Sequence, residues 1–191
     1  GRGIYVLDAA TGTVLNVLET DRPVVADVIV ANDGKTGIAK WAYTVDLGGN
    51  VYRISGIDAN SPFAGTEPGK WTITKVAALG CATTAPCANN RKFMYSPDVV
   101  LDELPNGYVL LVGSGDREKP LHRDLKEDGD KLGYPSTYAI DNYFFMLRDF
   151  PADPAWLGAE AGVGGRCGAP MLCLDALLEI SGDDTPTEAE L

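Results

Sequence analysis

The stretch Trp41-Ala42-Tyr43-Thr44-Val45-Asp46-Leu47-Gly48-Gly49-Asn50-Val51-Tyr52-Arg53-Ile54-Ser55-Gly56 holds the fold in miniature. β-Branched and aromatic residues, which suit a pleated surface, run on both sides of Leu47-Gly48-Gly49-Asn50, a turn composition. The stretch reads as two antiparallel strands, Lys40 to Asp46 and Val51 to Ser55. Upstream, residues 4–18 (IYVLDAATGTVLNVL) repeat the grammar. A strand over 3–8 ends in an aspartate, Gly12 closes a tight turn, and a strand over 13–19 returns. Asp8 and Asp46 sit at matching places, where a carboxylate accepts backbone N–H bonds from its own turn. Their separation is close to the ~40–45-residue blade period of β-propellers.

The rest of the chain keeps to short segments. Its 191 residues include 22 glycines and 12 prolines, and no long amphipathic run survives between them. Frequent turns between short apolar stretches favour an all-β fold. Further strands are expected over 24–31, 71–78, 93–101, 108–113 and 137–148. Ser96-Pro97 interrupts the 93–101 segment and marks an edge strand or a bulged entry. Residues 171–181 read as a strand or a short helix. The polar run 117–136 reads as a long surface loop, residues 150–170 as loop-rich, and 182–191 as a disordered tail. The expected architecture is an all-β, partial or modified β-propeller over residues 1–181, with about four blade-like antiparallel sheets and long loops.

A net charge of −11 repels phosphate backbones and argues against nucleic acid as a partner. It suits a soluble secreted protein and also attracts cations. No apolar run is long enough to cross a bilayer, and no signal-peptide pattern is present. The chain passes from Gly1-Arg2-Gly3 straight into a strand, so a piece of a longer protein is expected. Four cysteines form two local pairs: Cys81 with Cys87, and Cys167 with Cys173. Each pair brackets proline and small residues, as a short disulfide loop requires, whereas zinc favours tighter spacing and more histidines than the lone His122. Two disulfides imply an oxidising compartment.

Catalytic motifs are sparse. Gly113-Ser114-Gly115 lacks the spacing of a nucleophile elbow, and His122 has no orienting third group in the sequence. Asp124, Glu127, Asp128 and Asp130 form an acidic cluster, but Arg123, Lys126 and Lys131 are interleaved, which reads as a self-neutralising exposed loop. Phe63, Phe150 and Trp156 lie in loop segments and are candidate anchors for a partner. Trp41 and Trp71 read as packing residues.

Three segments, in order, resemble one family. Residues 41–56 resemble a YxxDxxGNLWRF strand pair. Residues 91–118 (RKFMYSPDVVLDELPNGYVLLVGSGDRE) resemble the blade that follows it. Residues 136–149 (STYAIDNYFFMLRD) resemble its tyrosine-rich next strand. The chain thereby resembles the C-terminal β-propeller of the type IV pilus tip-associated adhesins (the PilC/PilY family). The resemblance implies a pilus-associated protein of a Gram-negative bacterium, at the cell surface, pilus tip, periplasm or outer membrane. It implies roles in pilus biogenesis, adhesion and virulence. The implied partners are minor pilins, host or abiotic surfaces, and the remainder of a parent propeller. It also implies an aspartate-rich calcium loop ahead of the 41–56 pair, the only cofactor expected. Asp27, Asn32 and Asp33 supply oxygens there, but Lys35 and Lys40 add positive charge, so a solvated Asx turn stands as the other reading. The chain is expected not to be an enzyme. The alternatives are a fragment of a quinoprotein-type propeller dehydrogenase, and a purely structural module of an envelope complex.

Overall fold

The computed structural model describes residues 1–81, 87, 90–102, 107–116, 140–162, 167–168 and 170–180. The polar run 117–136, with His122, Asp124, Glu127, Asp128 and Asp130, and the tail 182–191 lie outside the described residues.

The strands are β1 (Gly3–Leu7), β2 (Val14–Glu19), β3 (Ile29–Asn32), β4 (Ala39–Val45), β5 (Asn50–Ser55), β6 (Thr72–Ala78), β7 (Asp98–Asp102), β8 (Gly107–Gly113), β9 (Phe144–Asp149) and β10 (Leu172–Cys173). An α-helix, α1 (Trp156–Gly162), falls between β9 and β10. The fold is all-β. The described residues form a β1-β2 hairpin, a five-stranded sheet ordered β10-β6-β5-β4-β3, and a three-stranded sheet ordered β7-β8-β9; none is closed. All pairings are antiparallel except that of β10 with β6, which covers only Leu172 and Cys173.

The five-stranded sheet is the middle layer, and side-chain alternation explains why. Trp41, Tyr43, Val45 and Val51 face the three-stranded sheet and pack with Tyr108, Leu110, Val112, Phe145 and Leu147. Ala42 and Ile54 face the other way and pack with Leu18, Ile4 and Val6 of the hairpin and with Phe63, Trp71 and Ile73. Every residue of β5 is therefore buried. Burying each such aliphatic side chain contributes roughly 1.5–3 kcal/mol, so the middle layer supplies most of the hydrophobic stabilisation. The hairpin is pinned at its base, where Asn16 Nδ2 donates to the carbonyls of Pro68 (3.1 Å) and Trp71 (2.9 Å).

Four segments depart from the expected boundaries, the strand expected over 137–148 among them: in its described residues it pairs only from Phe144, as β9. The ladder of β3 begins at Ile29, not at Val24. The strand expected over 93–101 enters its ladder only at Asp98, because the buried Pro97 has no N–H to donate. The region 150–170 contains α1, preceded by a turn in which Asp153 Oδ1 accepts the Ala155 N–H (2.9 Å).

Candidate functional site

The loop carrying Asp33 is knotted on itself. Asp33 Oδ1 accepts the N–H groups of Lys35 (3.1 Å) and Thr36 (2.7 Å), and Oδ2 accepts the Thr36 hydroxyl (2.6 Å). Lys40 Nζ stands 3.6 Å from Oδ2. These contacts, the Thr36 hydroxyl foremost, hold the Asp33 carboxyl down at about 2. Asn32 Oδ1 accepts the Gly34 N–H (2.9 Å). Asp27 is exposed on the approach to β3, where its backbone carbonyl accepts the Thr44 hydroxyl (3.3 Å). The loop thus has Asx-turn geometry, with both Asp33 oxygens engaged. Among the described residues, no three His, Cys, Asp or Glu side chains converge on one point.

The cysteines are joined in the two local pairs, Cys81 to Cys87 (Cα–Cα 5.9 Å) and Cys167 to Cys173 (Cα–Cα 5.5 Å). The first closes the segment after β6. The second holds β10 in place on β6, and both of its cysteines are buried. Two disulfides suit an extracytoplasmic compartment. Among the described residues, no helix is long and apolar enough to cross a membrane.

The loop aromatics find partners within the chain. Phe63 packs on Trp71 with ring centroids 4.8 Å apart, and Phe150 meets Trp156 edge-on at 5.2 Å. Phe63, Phe150 and Trp156 each remain partly exposed. Trp41 is buried between the two larger sheets, as a packing residue should be. Ser114 is tied into the strand ends: its hydroxyl donates to Asn142 Oδ1 (3.0 Å) and accepts the Tyr143 N–H (2.9 Å).

Two polar clusters are buried; sequence alone reads the turn bonds of the second, but neither its burial nor its distant donors, and nothing of the first. Arg53 on β5 places Nη1 at 2.5 and 2.7 Å from the two carboxylate oxygens of Asp149 on β9, with both side chains nearly inaccessible. Tyr43 donates its hydroxyl to Asp149 Oδ2 (2.8 Å), and burial pushes that hydroxyl well above the usual tyrosine range. Arg53 Nη2 donates to the Ala59 carbonyl (2.8 Å), while Nε meets no acceptor among the described residues; the guanidinium lies over the Trp41 ring at 5.6 Å. The available signal is a charged residue within a strand-forming segment, at Arg53 and again at Asp149.

The second cluster is the Asp46 carboxylate, fully buried at the end of β4. Its Oδ1 accepts the N–H groups of Gly48 (2.8 Å) and Asn50 (3.1 Å), and both oxygens accept Asn50 Nδ2 at 3.0 Å. Its Oδ2 also accepts the Arg22 N–H (3.0 Å) and the Tyr52 hydroxyl (2.9 Å). Burial raises the Tyr52 hydroxyl far above its ordinary value. Both clusters are closed structural junctions. Apolar side chains reach solvent on the β1-β2 hairpin, at Tyr5, Leu7, Val14 and Val17, and on the outer face of the three-stranded sheet, where Phe144 and Met146 stand 72% and 52% exposed.

No family model matches the chain, and no curated protein matches it. Among solved structures, the chain is similar to the crystal structure of the Pseudomonas aeruginosa PilY1 C-terminal domain, at 23% identity and a TM-score of 0.45. The similarity covers 60% of this chain and 26% of that one, so the chain spans about a quarter of that structure's length.

Proposed function

We propose that the chain is an extracytoplasmic recognition module associated with type IV pili, which supports pilus assembly or attachment by being bound rather than by turning over a substrate. The observation that carries this reading is the order of three motifs along one scaffold. The segments resembling the PilC/PilY propeller supply β4-β5 of the five-stranded sheet and then β7-β8 and β9 of the three-stranded sheet, in that order along the chain. The buried polar groups fit a scaffold role, since Arg53, Tyr43 and Asp149 join two sheets and Asp46 holds a turn. The disulfides fit an oxidising compartment. In this reading the layered sheets belong to a propeller whose further blades come from elsewhere, and the partly exposed loop aromatics meet pilus components or an attachment surface.

Deletion of the gene in its source bacterium tests the reading. Loss of surface pili or of attachment, with normal growth, is the expected outcome, restored by the wild-type gene. Unchanged piliation and attachment would overturn it.

A further inference from the structure

The outer face of the three-stranded sheet has an ordered pattern. Its register sets residues in rows across the strands: Val100, Val109 and Arg148 in one, and Asp98, Leu111 and Met146 in the next. Val100 is 51% exposed, and Val109 and Leu111 are half-buried between the edge strands. Phe144 extends the apolar strip beyond Met146. The charges lie at opposite edges, with Asp98 and Asp102 on β7 and Arg148 on β9. None of the ion pairs found among the described residues involves these three.

We infer that this face is a two-fold interface between two copies of the chain. A two-fold axis parallel to β8 lays one sheet on the other, face to face, with β9 of each copy over β7 of the other. The two β8 strands then bring their Val109 and Leu111 rows together, as in ordinary sheet-on-sheet packing. Each contact made in one direction is repeated in the other, as an isologous interface requires. Under this operation Arg148 lands on the Val100 row of the second copy, between the rows of that copy's Asp98 and Asp102. Residues on one face of a strand are spaced about 7 Å apart, so an arginine reaches either carboxylate. The acid–base asymmetry of the face is therefore self-complementary, and charge selects the occupant. A chain with a net charge of −11 repels its own copies over most of its surface. Association calls for a face where opposite charges meet around an apolar strip, and this one supplies it. The inference is independent of the pilus reading: that one is scored on piliation in cells, this one on mass in solution.

Sedimentation velocity of the purified chain over a concentration series tests it. The expected result is a species of twice the 20.3 kDa chain mass. Met146→Glu is expected to give the single-chain mass with an unchanged circular dichroism spectrum; Val100→Lys, on the opposite edge, is the second variant should the first fail to fold. Arg148→Glu is expected to dissociate the pair, and adding Asp98→Arg and Asp102→Arg to it is expected to restore the pair. A chain that stays at single mass at every concentration, a double-mass species indifferent to these apolar variants, or a triple reversal that fails to recover would each overturn the interface.

Discussion

The hairpins β1-β2 and β4-β5 share one local code and meet opposite fates. In each, an aspartate ends the first strand, its backbone bonds close the turn, and a glycine takes positive φ: Gly12 at 72° and Gly49 at 74°. Asp8 stays in solvent and is satisfied by its immediate neighbours. Its Oδ1 accepts the Thr11 hydroxyl (2.8 Å), the Thr11 N–H (2.8 Å) and the Ala10 N–H (3.1 Å). Asp46 is buried and recruits donors from beyond its own turn, including the Arg22 backbone and the Tyr52 hydroxyl. The turns also differ in their surroundings. A Cβ on Gly12 would meet nothing within 4 Å, whereas one on Gly49 would stand 2.4 Å from the Gly80 Cα. A turn that runs from an aspartate to a glycine of positive φ is thus only a local template. Whether it becomes a surface ornament or a junction depends on what the chain lays against it.

Breaking the buried member should cost the most. Asp46→Ala leaves its donors without an acceptor in the interior and is expected to lower stability by about 3 kcal/mol or more, read as a fall in the urea midpoint at unchanged slope. The matching Asp8→Ala should produce a far smaller fall. A comparable loss from both would erase the distinction between the two turns. Next come the glycines. Gly12→Ala bears only the left-handed backbone cost, about 1 kcal/mol. Gly49→Ala adds a backbone collision and should exceed it by roughly 1–3 kcal/mol in the same unfolding assay.

The smallest effect sharpens the comparison through pH. The Thr11 hydroxyl, then the Thr11 and Ala10 N–H groups, hold the Asp8 carboxyl below its ordinary value. A depressed folded-state pKa contributes stability above the unfolded value, near pH 4, and that contribution fades as pH falls through the folded value. The stability gap between wild type and Asp8→Asn should therefore be constant near neutrality and close on acidification. A gap that widened in acid would contradict the turn geometry.

Most strands were legible because they obey local rules. Residues 41–56 announce two strands and a turn through β-branched residues flanking a glycine pair, and the structure differs by only a residue or so at the ends. Boundaries failed where the ladder decided them: nothing local distinguishes Val24 from Ile29, yet only the latter pairs with β4. Helix α1 was masked by the surrounding glycines and alanines, although Asp153-Pro154 announces the turn before it. Of the site residues, the cysteine pairs were readable from spacing alone, since each closes over a few residues. The Arg53–Asp149 pair was not. Its members are far apart in the chain, and their meeting is a property of how one sheet lies on another.

That pair has a consequence for how the molecule comes apart. Peeling the three-stranded sheet from the middle layer would strand a guanidinium and a carboxylate on surfaces built for aliphatic packing, with the Tyr43 hydroxyl losing its acceptor as well. A half-separated intermediate is penalised before water can repair it, so the two sheets should melt together in one cooperative step. The ionic contact serves less as glue than as a latch on cooperativity.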